Sequence, residues 1–234
     1  AYWLRAWIEV DHGNADACDA DLASAAAAAH YSEDGVRIDV FDAAAALFAV
    51  FRDLPSAEAR WGKRFNPGDS KQHPAVIGWI MDYCGTSAFQ ASDFGRAISL
   101  LVRAFDAALA SGQVRRAINI ATNIGNGFTS LNAHHAALEW MQRGLDLARP
   151  TNWPMSLGLG QMQTAETLRQ LGQRAAAFDL LEEALATLAP LSGSRAYAIA
   201  LEYQGDLALD SGDYLAALES FSRLEERGEA LPQA

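Results

Sequence analysis

One stretch near the end of the chain decides the fold: Leu201-Glu-Tyr-Gln-Gly205-Asp-Leu-Ala-Leu-Asp-Ser-Gly212-Asp-Tyr214-Leu-Ala-Ala217-Leu-Glu-Ser-Phe221. Two helical patterns meet at Gly212, a residue type that ends helices because it adopts left-handed backbone angles without strain. Gly205 and Ala217 are small residues on either side of this turn, and they predict a close approach of the two helices. The stretch therefore predicts a helical hairpin.

The same pattern recurs upstream at steps of forty residues. Each unit has a small residue in its first helix (Gly85, Gly125, Ala165, Gly205) and then a turn former (Ser92, Asn132, Gly172, Gly212). Its second helix has a small residue (Ala97, Ala137, Ala177, Ala217) and, four residues later, a large apolar residue (Leu101, Met141, Leu181, Phe221). A single hairpin of this kind cannot bury its apolar stripe, so neighbouring hairpins must stack. Further steps reach Ala45, Ala57 and Trp61, and then only Ala17.

The last unit resembles the tetratricopeptide repeat (TPR) in its small residue, its Gly-Asp-Tyr turn at 212–214, its alanine and its aromatic residue. The standard repeat has about 34 residues, so a period of forty indicates longer helices or a longer return loop. The resemblance implies an all-α fold, a right-handed superhelical TPR-like solenoid of about six helix pairs with a 40-residue period.

We expect a single solenoid over residues 1–234. Residues 73–234 hold four clearer repeats, and residues 1–72 hold divergent repeats or a helical cap, followed by a loop. This loop, residues 62–74, contains both lysines, and it is either a tolerated insertion or a basic docking loop. Asn152 and Ser194 are predicted helix N-caps, and Pro74 and Pro154 are placed for a first helical turn.

The formal net charge is −11, from 18 basic and 29 acidic residues. An acidic chain repels phosphate backbones and anionic lipids, so we expect neither nucleic acid nor a membrane as a partner. Cys18 and Cys84 lie outside any CxxC pair, which is typical of a reducing compartment or of one long-range disulfide. These features predict a cytoplasmic location.

No motif for catalysis or metal binding is present. The five histidines lack a zinc-binding spacing, and neither a P-loop nor a nucleophile elbow occurs. The sequence therefore predicts no enzyme activity, no metal site and no cofactor for this chain.

In solenoids of the resembled family, the first helix of each pair lines the concave surface. The residues expected to bind a ligand or partner there are Trp79, Asp82, Tyr83, Asn119, Thr122, Asn123, Asn126, Met162, Glu166, Arg169, Glu202 and Tyr203, with Thr86, Gln163 and Asp206 beside them. Three asparagines share one helix face, and their amides suit peptide backbone or a polar small molecule. Asn123 and Asn126 resemble the asparagines with which some TPR domains hold a peptide's terminal carboxylate, but no lysine accompanies them.

Residues 162–172 and 193–208 resemble the repeat regions that precede GGDEF diguanylate cyclase domains in some proteobacteria. This resemblance implies a sensory domain that controls an attached output domain and thereby cyclic di-GMP synthesis. A protein-interaction scaffold or adaptor and the regulatory solenoid of a transcription activator remain as alternatives. The expected partners are a protein, a peptide or a small polar molecule in the groove, an effector domain after the C-terminus and a second copy in a homodimer.

Overall fold

The computed structural model describes residues 2–11, 14–65 and 73–226. This part of the chain contains no strand, and its twelve α-helices are α1 (Tyr2–Asp11), α2 (Ala15–Tyr31), α3 (Gly35–Arg52), α4 (Leu54–Trp61), α5 (Pro74–Gln90), α6 (Phe94–Ala110), α7 (Val114–Ser130), α8 (His134–Ala148), α9 (Pro154–Gln170), α10 (Arg174–Leu188), α11 (Arg195–Asp210) and α12 (Tyr214–Glu225). The predicted all-α fold is confirmed. No helix within the described ranges is long and apolar enough to cross a membrane.

The predicted turn residues adopt the backbone conformation that ends a helix. Their φ angles are positive, at 62° for Ser92, 56° for Asn132, 74° for Gly172 and 77° for Gly212. Serine and asparagine reach this left-handed region at some cost, whereas glycine does so freely. The next residue then caps the following helix in two of these turns, because Asp93 accepts from the Arg96 N–H (3.2 Å) and Asp213 from the Ala216 N–H (3.1 Å).

Three of the four other predicted helix-start residues lie where they were predicted. Ser194 caps α11 by accepting a hydrogen bond from the Tyr197 N–H at 3.3 Å, and Pro74 and Pro154 begin α5 and α9. The Asn152 prediction was wrong. Asn152 has φ 53° and ends a short 3-10 turn, Arg149–Thr151, while α9 starts after Trp153 without a side-chain cap.

The helices form two compact units, residues 1–131 and residues 132–234, here called the first and the second unit. In the first unit α1 packs on α2, α3 on α4 and α5, α5 on α6, and α6 on α7. In the second unit α8 packs on α9, α9 on α10, α10 on α11, and α11 on α12. Within each unit, neighbouring helices therefore cover one another's apolar stripes, as the repeat pattern requires.

Small residues set the helix spacing in both units. A Cβ atom built on Gly85 would lie 2.8 Å from Leu101 Cγ, and one built on Gly205 would lie 2.5 Å from the Phe221 ring. On the second helices the alanines of the repeat are buried, namely Ala97, Ala137, Ala177 and Ala217. Two residues predicted to meet from a forty-residue pattern thus touch in each of these hairpins.

The N-terminal part of the first unit departs from the regular repeat. The helix α4 has 8 residues, whereas the second helices α6, α8 and α10 have 17, 15 and 15. Beyond α4 the chain folds Phe65 back onto Trp61, and their rings stack at 5.5 Å. Lys71 and the rest of the predicted loop between 66 and 72 lie outside the described residues.

Candidate functional site

A buried ion pair joins the first helices α5 and α7. Arg116 Nε donates to Asp82 Oδ2 at 3.0 Å, and the two side chains are 9% and 4% exposed. The Arg116 guanidinium lies over the Trp79 ring, 4.1 Å from its centroid, and its Nη1 donates to Gln113 Oε1 at 2.8 Å. Burial raises the pKa of Asp82 and lowers the pKa of Arg116, and the opposite charge beside each group counters both shifts.

Four residues expected on an accessible face are in fact buried. Asp82 is enclosed by its ion pair, and Tyr83 packs edge-on against Phe65 at 5.8 Å between ring centroids. Thr86 is 5% exposed, and Met162 is a core residue of the second unit. These positions of the prediction need correction. The helix α5 packs on α3 as well as on α6, so more of its circumference is covered than a repeat count indicates.

The polar side of α7 is accessible, as expected. Asn119 is exposed, and Thr122, Asn123 and Asn126 are half-buried. Thr122 Oγ1 donates to the Ile118 carbonyl at 3.2 Å, while within the described chain the three side-chain amides make no hydrogen bond. We call Asn119, Thr122, Asn123 and Asn126 the amide face. It carries no charge and leaves amide donors and acceptors for a ligand.

In the second unit, α9 and α11 bring charged side chains together. Arg169 binds Glu166 with two hydrogen bonds, from Nε to Oε2 at 2.7 Å and from Nη2 to Oε1 at 2.9 Å, and it also pairs with Asp210. Glu202 and Asp206 lie one helical turn apart on α11. Both are close enough to Glu166 for its negative charge to raise their pKa values. We call Glu166, Arg169, Glu202, Asp206 and Asp210 the acidic face.

The acidic face has four carboxylates and one guanidinium, which pairs with Glu166 and Asp210. Burial raises the pKa of Glu202, and the charges of Asp206 and Glu166 add to that effect. Burial likewise raises the pKa of Asp206, although Arg169 lowers it. The half-buried Tyr203 has a raised pKa for the same reason, burial first and then the Glu166 charge. The face therefore holds more negative charge than its own cation neutralises.

The sequence prediction included most of this face but missed Asp210. Glu202, Asp206 and Asp210 stand four residues apart, so they share one side of α11. That spacing was a usable signal. The pairing of Asp210 with Arg169 depends instead on how α9 and α11 pack.

Within the described ranges, no group of three or more His, Cys, Asp or Glu side chains is placed to hold a metal ion.

No protein-family model and no curated protein matches the sequence. Solved structures do match. BtubC (BKLC) from P. vanneervenii has a TM-score of 0.68 at 15% identity over 91% of this chain and 94% of that chain. The quorum sensor NprR from B. thuringiensis has a TM-score of 0.66 at 15% identity over 99% of this chain and 65% of that chain.

A third match names the repeat itself. It is a signal transduction ATPase with numerous domains from Pyrococcus horikoshii that carries a tetratricopeptide repeat sensor, with a TM-score of 0.66 at 15% identity over 97% of this chain and 38% of that chain. Together with the helix order and the turn geometry, these matches show that the chain has a TPR-like solenoid fold. At 15% identity they show the fold and leave the function to the side chains.

Proposed function

We propose that this chain is a non-catalytic, protein-binding module of a regulatory protein. The observation that carries the proposal is the acidic face, where Glu166, Glu202 and Asp206 are half-buried together, while Arg169 pairs only with Glu166 and Asp210. Holding carboxylates so close disfavours their charged forms, so this arrangement suits a partner more than it suits the stability of the chain. The quorum sensor and the repeat sensor among the matched structures support a sensory use of the fold.

The partner of the acidic face is a segment that carries lysine or arginine. Arg169 is already engaged by Glu166 and Asp210, while Glu202 and Asp206 form no ion pair within the described chain. A cationic side chain placed beside them supplies the missing countercharge, and charge complementarity of this kind also speeds association. The half-buried ring of Tyr203 offers such a cation an aromatic surface.

The amide face serves a different kind of contact. Its asparagines combine carbonyl acceptors and NH₂ donors on one helix side, which suits the backbone of an extended peptide. Because the face is uncharged, binding there depends little on salt, whereas binding to the acidic face weakens as salt screens the charges.

We propose that the parent protein couples this module to a diguanylate cyclase domain, on the strength of the resemblance of residues 162–172 and 193–208 to repeats that precede GGDEF domains. Partner binding would then change cyclic di-GMP synthesis. The full-length protein tests this directly: it should make cyclic di-GMP from GTP at a rate that partner binding changes, and a parent without cyclase activity would refute this part.

A peptide-display selection on the chain tests the binding proposal. Wild-type protein should enrich peptides rich in lysine and arginine. The double variant Glu202→Gln/Asp206→Asn should lose that enrichment, because it removes the two carboxylates without an ion pair. Affinity for the enriched peptides, measured by fluorescence polarisation, should fall by about tenfold or more, which corresponds to about 1.4 kcal/mol.

A matched control separates specific recognition from net charge. Glu225→Gln/Glu226→Gln removes two exposed carboxylates from the second unit and should leave the affinity unchanged. In contrast, Asn123→Ala/Asn126→Ala should lower the affinity for peptides that bind the amide face, and it should leave the preference for lysine and arginine unchanged. Equal losses in the two carboxylate variants would mean that the acidic face is not the binding site.

A further inference from the structure

The short helix α4 leaves a pocket in the first unit. A second helix of regular length would continue beyond Trp61, but α4 ends there and Gly62 follows. The space beside α5 and the start of α6 encloses about 350 Å³. Its wall consists of Glu58, Gly62, Phe65, Tyr83, Cys84, Ser87, Ala88, Ala91, Asp93 and Arg96. This volume is at the lower end of the ~300–1,000 Å³ typical of small-molecule sites.

The pocket contains one buried hydroxyl without a hydrogen bond. Tyr83 Oη donates to the Ala57 carbonyl at 3.4 Å, and Cys84 Sγ donates to the Phe65 carbonyl at 3.8 Å, so both of these groups are engaged. Ser87 is 8% exposed, and its Oγ has no hydrogen-bond partner in the described chain. It lies near enough to Tyr83 to influence the pKa of the phenol, but not in hydrogen-bond geometry. A buried hydroxyl left in this state favours a ligand that bonds to it.

Charged side chains of both signs, Glu58, Asp93 and Arg96, line the same space, and Asp93 is already engaged because it accepts from the Arg96 N–H. The Glu58 carboxylate lies close enough to Tyr83 to raise its pKa, and the Arg96 guanidinium lies close enough to Cys84 to lower the thiol pKa. Neither side chain forms an ion pair among the described residues. The rings of Phe65 and Tyr83 and the methyl groups of Ala88 and Ala91 line the same pocket and supply its apolar surface.

We propose that this pocket binds a small zwitterion with an apolar or aromatic body, of the size of an amino acid. Glu58 binds the ammonium group, Arg96 binds the carboxylate, the Ser87 hydroxyl hydrogen-bonds to the ligand, and Phe65 and Tyr83 contact its body. This site is separate from the amide face and the acidic face, so it stands whether or not those faces bind a protein.

Cys84 provides the readout, because it lines the pocket and an occupant blocks access to its thiol. Labelling by iodoacetamide is followed by peptide mass spectrometry at pH about 8, with long incubation because the thiolate is the reactive form and the pKa of Cys84 is raised to about 11. L-Phenylalanine is the zwitterionic probe. At ten times its Kd it should slow Cys84 labelling about elevenfold. The buried Cys18 serves as an internal control whose labelling the probe should not change.

Two further probes keep the phenyl ring and remove one charge each. 2-Phenylethylamine lacks the carboxylate and 3-phenylpropanoate lacks the ammonium group, and both should protect Cys84 several-fold less than phenylalanine does. Equal protection by all three compounds would overturn the zwitterion assignment. No protection by phenylalanine up to about 10 mM, a concentration well above a Kd of 1 mM, would overturn the site for a ligand of this class.

Variants test the assigned contacts. Glu58→Gln and Arg96→Gln should each reduce the protection by phenylalanine, measured as the ratio of labelling rates with and without the probe. Ser87→Ala should reduce it less. Arg174→Gln removes an exposed guanidinium from the second unit and should leave the ratio unchanged. If Arg96→Gln and Arg174→Gln gave the same ratio as wild type, the role of Arg96 would be refuted.

Discussion

The first-helix faces of the two units use charge in different ways. In the first unit, Asp82 and Arg116 form a buried pair with one negative and one positive group, and the accessible residues beside them on α7 are uncharged amides. In the second unit, the acidic face has four half-buried or exposed carboxylates and one cation, Arg169, which pairs with two of them. The same helical repeat therefore has a buried, charge-balanced ion pair in the first unit and an accessible cluster with excess negative charge in the second.

The two units show how structural charge can be distinguished from functional charge in a repeat protein. A buried pair contributes to the structure of the chain, and breaking it exposes no ligand site. An accessible cluster with excess charge of one sign contributes little to stability, yet it creates a field that selects partners. Variants in the two units should therefore affect different measurements.

The largest expected effect comes from the buried pair. Arg116→Met leaves Asp82 buried without a partner, and the free energy of unfolding should fall by about 3–5 kcal/mol. Urea denaturation followed by circular dichroism measures this. The corresponding variant of the second unit, Arg169→Met, breaks partly exposed pairs and should cost about 1 kcal/mol or less.

A double variant sharpens the same test. Asp82→Leu/Arg116→Met replaces both charges by apolar groups and should recover most of the loss, because no unpaired charge remains. If Arg116→Met and Arg169→Met lowered the free energy of unfolding equally, the buried ion pair and the acidic face would not differ in their contribution to stability.

Steric contacts predict an intermediate effect. Gly85→Ala places a Cβ atom 2.8 Å from Leu101 Cγ, on a leucine fully enclosed in the core, and should cost about 1–3 kcal/mol. Gly205→Ala makes a shorter contact, 2.5 Å to the Phe221 ring, but that ring is half-buried on α12. A half-buried ring can move toward solvent more easily than the enclosed Leu101, so this variant should cost less, and the helix propensity gained with alanine, about 1 kcal/mol, is the same for both variants.

Thermal or urea unfolding of both glycine variants shows whether the mobility of the contacted side chain or the contact distance sets the loss of stability. A greater loss for Gly205→Ala than for Gly85→Ala would show that the distance alone sets the cost.

The smallest effect depends on pH. Burial raises the pKa of Glu202 and Asp206, so the folded chain holds protons that the unfolded chain releases, and wild-type stability falls as pH rises through the folded pKa values. Glu202→Gln/Asp206→Asn should therefore be more stable than wild type near neutral pH, by about 0.5 kcal/mol after solvent screening. The gain should vanish below the ordinary pKa values of 4.5 for Glu and 3.8 for Asp.

Urea midpoints measured across this pH range provide the test. The control is Asn123→Ala/Asn126→Ala on the uncharged amide face, whose stability difference from wild type should stay within about 0.5 kcal/mol and not vary with pH. A gain for the carboxylate variant that persisted at low pH would mean that burial and repulsion do not raise these pKa values.

The sequence predicted some parts of the binding faces better than others. The three asparagines of α7 and the acidic positions of α9 and α11 are exposed or half-buried, because helical spacing places them on one side of their helices, and their binding role stays a prediction. Tyr83 and Met162 were misassigned, since α5 has neighbours on several sides and since Met162 packs into the core shared by α9, α10 and α11. The pocket beside Ser87 had no counterpart in the sequence prediction, because it results from the space that a short α4 leaves.

The amino-acid pattern was enough to predict the helical hairpins, most of their turns and the residues at which paired helices touch. These are local properties: backbone conformation at Ser92 or Gly212, and close approach at Gly85 or Gly205, depend on residue type and on spacing within one hairpin. Helix packing, in contrast, sets which polar groups are buried, which carboxylates pair with Arg169, and where an unfilled space remains. Those properties depend on groups brought together from distant parts of the chain, whose distances and exposure no periodicity encodes.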